Sequence, residues 1–106
     1  MAAFISVSCK ENEMIIHVSG WFNSEIRSEF EQVYRKVIQE MQKCNHFTLD
    51  LSATEHIDSS AIGMLVLMYQ EIGREGPPVK IINTSGHVNK LLRITGLDRL
   101  FEIPAS

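Results

Sequence analysis

Asp58, Ser59 and Ser60 stand where an alternating apolar segment gives way to one with helical spacing. Phe47, Leu49 and Leu51 alternate with Thr48 and Asp50, the period-2 pattern of a strand with one buried face. After a short connection from Ser52 to Ile57, residues Ala61, Ile62, Leu65, Val66, Met68, Tyr69 and Ile72 recur at the spacing of a largely buried helix. The polar cluster therefore opens that helix. The first N–H groups of a helix lack intrahelical acceptors, and the dipole leaves partial positive charge there. A serine in this place ordinarily caps the helix, contributing about 1 kcal/mol. Local sequence alone favours that role for either serine, because Ser and Asp are the commonest start signals. Only one residue can be the N-cap, however, and the other must point elsewhere, toward solvent. A serine exposed at a helix start suits a phosphoacceptor: an added charge of about −1.5 to −2 is stabilised by the dipole and transforms the surrounding surface.

Other chemistry is less well supported. Serine hydrolysis at Ser59 needs a strained turn such as GxSxG and a histidine base, yet Asp58-Ser59-Ser60-Ala61 has no flanking glycine. His56 is close in sequence, which does not place its ring on the hydroxyl. His17, His46, His56 and His87 fall on different predicted elements and lack zinc-site spacing, so they read as ordinary surface or partly buried histidines. Gly73-Arg74-Glu75-Gly76 is a helix terminator without a P-loop lysine. Lys80, Lys90, Arg93 and Arg99 are scattered and read as solubilising charges. Trp21 opens a helix from a loop, a place more often taken by a lid over the core than by an interface anchor, although tryptophan is over-represented at binding hot spots.

The elements that must hold these residues follow from periodicity. Ile5, Val7 and Cys9 alternate, Lys10 to Glu13 interrupts, and Met14, Ile16 and Val18 alternate again, which predicts an antiparallel hairpin. Gly20 to Ser24 reads as a loop, with Asn23 or Ser24 as the next N-cap. Ile26, Phe30, Val33, Val37, Met41 and Cys44 form an amphipathic helical stripe. Gly73, Gly76, Pro77 and Pro78 stop the central helix, and Val79 to Ile82 is a short strand. Val88, Leu91, Leu92 and Thr95 line a third helix closing at Gly96, and Leu100 to Ile103 reads as a last edge strand before a disordered tail. The predicted fold is α/β, in the order β-β-α-β-α-β-α-β. Alternation after the hairpin demands parallel pairing through right-handed crossovers, hence a mixed sheet with helices mainly on one face.

With 106 residues the chain is read as one domain spanning 1–106. Its apolar content of 44% and charged content of 22% are those of a globular protein. A net charge of −3 gives the whole chain no electrostatic reason to bind nucleic acid. The longest apolar run, Ala61 to Tyr69, is too short to span a bilayer, and the N-terminus has no basic leader, so a cytoplasmic location without membrane insertion is expected. Cys9 and Cys44 are read as buried free thiols rather than a bridge or metal site. No cofactor or metal is implied.

The run from Leu49 to Leu65, Leu-Asp-Leu-Ser-Ala-Thr-Glu-His-Ile-Asp-Ser-Ser-Ala-Ile-Gly-Met-Leu, resembles the signature of the STAS family, the anti-sigma factor antagonists and their relatives. The likeness extends from the opening hairpin to Leu100 through Ile103 and includes Thr95-Gly96-Leu97. The resemblance implies a STAS-like fold and no catalytic activity. It maps the phosphorylated serine onto Ser59, with Ser60 as the alternative. A partner-binding surface of Trp21, Asn23, Ser24, His56, Ile57, Asp58, Ser60, Met64, Thr84 and His87 would surround it. The implied partners are an anti-sigma factor with serine kinase activity, or a response regulator carrying kinase and phosphatase domains, and a PP2C-type phosphatase. Unphosphorylated protein would sequester the anti-sigma factor and phosphorylation would release it. The alternative is a STAS subunit docking on a membrane transporter or larger signalling assembly, though such relatives often lose the serine. Asn23 and Ala61 stand where many relatives carry an acidic residue and glycine, so the motif does not specify the partner.

Overall fold

The structure, a computed structural model, describes residues 3–40, 46–72 and 78–104. Strands β1 (Phe4–Lys10) and β2 (Glu13–Phe22) are followed by a 3-10 turn (Ser24–Ile26) and α1 (Arg27–Glu40). Then come β3 (His46–Asp50), β4 (Thr54–Ile57), α2 (Ser59–Ile72), β5 (Val79–Ile82), α3 (Gly86–Ile94) and a second 3-10 turn (Leu97–Arg99). β1 pairs antiparallel with β2, whose far edge takes β3 in parallel from Glu13↔His46 to His17↔Asp50. β5 continues the parallel sheet beyond β3, giving the order β1-β2-β3-β5. This is the mixed sheet that the alternation of elements predicts.

One face of the sheet carries the core. Met14, Ile16 and Val18 of β2, Phe47 and Leu49 of β3, and Val79 and Ile81 of β5 are buried and share one cluster with Phe30, Tyr34 and Val37 of α1, Leu65 and Met68 of α2, and Val88 and Leu92 of α3. Because alternate strand residues point to opposite faces, all three helices cover the same side. Tyr34 joins α1 to α2: its ring is buried beside Phe30, and its hydroxyl bonds Glu71. Glu71 also accepts from Arg35, at 3.3 Å.

Several expectations are corrected. The segment read as a bare connection, Ser52 to Ile57, contains β4, which pairs in parallel with Gly20, Trp21 and Phe22. The stretch from Gly20 to Ser24 is accordingly the end of β2, with only Asn23 and Ser24 turning away. Neither strand segment alternates cleanly in sequence, because pairing with each other supplies their extended form. The last strand shrinks to one parallel bridge, Lys80↔Glu102, held by Ile81 N–H to the Glu102 carbonyl and Glu102 N–H to the Val79 carbonyl, both 2.9 Å. Thr95 is exposed and its hydroxyl donates to the Leu91 and Leu92 carbonyls, so it ends α3 instead of lining it. Gly96 follows in the left-handed conformation (φ 82°), the ordinary glycine exit from a helix. Arg93 is more than a solubilising charge: its guanidinium donates to Asn89 and to the Ile103 carbonyl, fastening the C-terminal segment. Cys9 is exposed, since β1 is the sheet's outer strand and its apolar side reaches past the core. Met41, Cys44, the stop signal Gly73 to Pro77 and the last two residues of the tail lie outside the described residues.

Burial first, then the bond to Glu71, pushes the Tyr34 hydroxyl up to about 12. The folded value lies above the unfolded one, so this contribution to stability is whole below pH about 10 and is lost as pH rises through the folded value. Alkaline titration followed by tyrosinate absorbance is expected to show a late step near pH 12 from Tyr34. Tyr34→Phe should remove only the late step.

Candidate functional site

The start of α2 differs from the capping scheme in which one of the serines is the N-cap. Asp58 is the N-cap: its carboxylate accepts the Ala61 N–H at 3.1 Å, and its carbonyl accepts the first intrahelical bond, from Ile62 N–H at 3.2 Å. Ser59 and Ser60 therefore occupy the first two helical positions, with no capping duty. Ser59 is exposed and Ser60 half-buried. Ser59 stands exposed at the end of the helix where the dipole favours anions.

The walls of the site come from other elements. At the Gly20–Trp21 step the register of β2 against β4 shifts, with Gly20 at φ 83°, and Trp21 emerges 40% exposed while Phe22 returns to the core. A bulge of this kind re-aims the following side chain. Trp21 pairs across the strands with His56, ring centroids 5.3 Å apart, and His56 stacks on His87 of α3 at 6.2 Å with 20° between planes. All three are exposed. An aromatic row thus runs from the end of β2, over the end of β4, to the start of α3. It meets the start of α2 because Ser59 follows β4 after Asp58 alone. Parallel strands deliver these helix starts to the carboxyl ends of the strands, where α/β folds commonly bind ligands.

The remaining expected contact residues divide clearly. Asn23 caps the first 3-10 turn by accepting the Glu25 N–H at 3.0 Å, and Ser24 beside it is exposed. Thr84 is half-buried, its hydroxyl accepting from Asn89 at 2.8 Å. Ile57 and Met64, expected on the surface, are instead 2% and 1% exposed, with both side chains in the core. Met64 lies five residues after Ser59, which carries it around to the buried side. Four-residue steps stay on the exposed face, and there stand Gly63 and Leu67, neither anticipated from sequence. The signal was the spacing itself, hidden because α2 is apolar on nearly every side. Leu67 is 42% exposed, and a Cβ added at Gly63 would meet open space.

Because Asp58 performs the capping, Asp58→Ala should cost about 1 kcal/mol in chemical denaturation, whereas Ser59→Ala and Ser60→Ala should each stay within about 0.5 kcal/mol. Gly63→Ala should instead raise stability by about 1 kcal/mol, removing a flexible residue from a helix interior without a clash.

Comparison with known proteins agrees with this architecture. The profile of the STAS domain matches residues 4–106. A STAS-domain containing protein of Pseudomonas aeruginosa is 30% identical over 103 residues, 97% of this chain and 99% of that protein. The anti-sigma F factor antagonist of Paenibacillus polymyxa is 26% identical over 90 residues, 85% of this chain and 76% of that protein. Among solved structures, an anti-sigma factor antagonist from Mycobacterium paratuberculosis superposes with a TM-score of 0.83 at 23% identity, covering 99% of this chain and 87% of that one. With a profile match across almost its full length and a relative aligned end to end, the chain belongs to the STAS domain family.

Proposed function

We propose that this chain is an anti-sigma factor antagonist, a protein-binding switch gated by phosphorylation of Ser59 and without catalytic duty in that role. The observation that carries the reading is the division of labour at α2, where Asp58 holds the helix and leaves the Ser59 hydroxyl exposed. A protein chosen for stability alone needs no serine there. The names of the Paenibacillus and Mycobacterium proteins support the same assignment.

In the unmodified state the docking surface is a neutral hydroxyl flanked by Trp21, His56 and His87 on one side and by Gly63 and Leu67 along α2. Gly63 keeps that helix face flat. Transfer of the ATP γ-phosphoryl group to Ser59 Oγ places a dianion beside the Asp58 carboxylate and in the middle of this surface. The helix dipole moderates the cost to the protein itself, but a partner shaped for a hydroxyl must now desolvate the phosphate or leave. The scaffold does not need to move. The partner in this reading is a cytoplasmic anti-sigma factor with serine kinase activity, or a response regulator with kinase and phosphatase domains, and a PP2C-type phosphatase restores the hydroxyl. The whole chain acts as one such domain.

Incubation with the cognate kinase and ATP should place one phosphate on Ser59, identified by mass spectrometry and absent in Ser59→Ala but retained in Ser60→Ala. Ser59→Asp should weaken partner binding by at least about tenfold, or 1.4 kcal/mol, with the circular dichroism spectrum unchanged. Phosphate on Ser60 alone, or full binding by Ser59→Asp, contradicts the proposal.

A further inference from the structure

A second serine has the surroundings that Ser59 lacks. On the sheet face opposite the helices, Ser8 of β1, His17 of β2 and Asp50 of β3 form a chain of hydrogen bonds across three adjacent strands. Ser8 Oγ lies 3.0 Å from His17 Nε2, and His17 Nδ1 lies 3.1 Å from Asp50 Oδ2. The other carboxylate oxygen is anchored, Oδ1 accepting the Ser52 N–H at 2.9 Å and the Asn83 side-chain amide at 3.3 Å. We propose that Ser8, His17 and Asp50 form a nucleophilic serine site, distinct from Ser59, that takes an acyl group from small activated esters.

The order of the contacts sets this cluster apart from a simple cross-strand polar ladder. Both ring nitrogens are engaged, one by a carboxylate and the other by a hydroxyl. A carboxylate can only accept, so it selects the neutral tautomer with the proton on Nδ1 and leaves Nε2 to receive the serine proton. Burial alone would push the Asp50 carboxyl up, yet the bonds from Ser52 and Asn83 hold it below the ordinary range, helped by the charge of His17 whenever that ring is protonated, so it remains a carboxylate. Side-chain exposure falls from 39% at His17 to 14% at Asp50, so the charge that orients the base is sheltered while the base stays reachable. Ser8 is exposed on the outer strand. No single segment could show this: the residues are 9 and 33 apart in sequence and meet only through the pairing of β2 with both neighbours.

Acyl transfer at this site needs no cofactor. Ser8 Oγ bonds to the ester carbonyl carbon as its proton passes to His17 Nε2. The tetrahedral adduct then breaks the bond to the leaving phenolate, and His17 gives its proton to water or to that group. Water attacks the acyl-serine by the same route, releasing the carboxylic acid and restoring Ser8. Asp50 touches no reacting atom and is a positioning residue.

The probe is p-nitrophenyl acetate on the intact chain, read by phenolate release and by peptide mass spectrometry. One acetyl group is expected on Ser8, lost in Ser8→Ala and retained in Cys9→Ser. His17→Gln should slow acetylation at least about 100-fold, and Asp50→Asn at least about tenfold, because a carboxamide no longer fixes the tautomer. Asp50→Asn should also abolish the downfield Nδ1 proton resonance of His17 while leaving the amide spectrum folded, which a purely structural change would not do. Acetylation at Cys9 or a lysine instead of Ser8, or a Ser8 rate unaffected by His17→Gln, overturns the site. Neither result bears on Ser59.

Discussion

Strand β2 must satisfy three neighbours, and the layout of the molecule follows from that demand. One edge pairs antiparallel with β1 along its first seven residues, while the other edge takes β3 and then β4 in parallel. The β3 pairing ends at His17↔Asp50, the β4 pairing begins at Gly20↔Thr54, and within it the register shifts between Gly20 and Trp21. The Ala53 carbonyl, accepting the Gly20 N–H at 2.9 Å, and the buried Thr54 hydroxyl, donating to the Val18 carbonyl at 2.7 Å, lock the changeover. This junction delivers Trp21 to the surface beside His56. β4 then runs into Asp58 and α2.

Beside this junction an exposed surface lies over a packed interior. The scaffold beneath the site is closely packed: Phe22, Ile57, Ala61, Met64 and Leu65 are each at most 2% exposed. The site itself consists of side chains that the fold does not require, namely a serine relieved of capping, an exposed glycine and three exposed rings. Ser59 thus stands exposed above a closely packed core.

The opposite face of the sheet obeys different rules. No helix covers it among the described residues, so its polar groups pair across strands, with the Thr48 hydroxyl donating to Glu13 at 2.7 Å and His17 bridging Ser8 to Asp50. These pairs fix register by chemistry where apolar packing does not. The same arrangement that sets register aligns a hydroxyl, an imidazole and a carboxylate in the order that nucleophilic catalysis uses.

The amino-acid sequence by itself determined the hairpin, the parallel order of β3 and β5, the helices and the place of Ser59, because each rests on local periodicity and on start and stop signals that neighbouring residues carry. It did not determine β4, whose Thr54 to Ile57 segment has no strand pattern of its own and becomes one only by lying against the end of β2. It named Asp58 as part of the site, but which of three capping-competent residues holds the helix depends on where the chain leaves β4. The phase of α2 was equally hidden: on a helix apolar almost all round, only packing against the sheet decides that Met64 turns inward and Leu67 outward. The Ser8, His17 and Asp50 cluster lies furthest from sequence, since contacts across three strands follow from register, and register is a property of the assembled sheet.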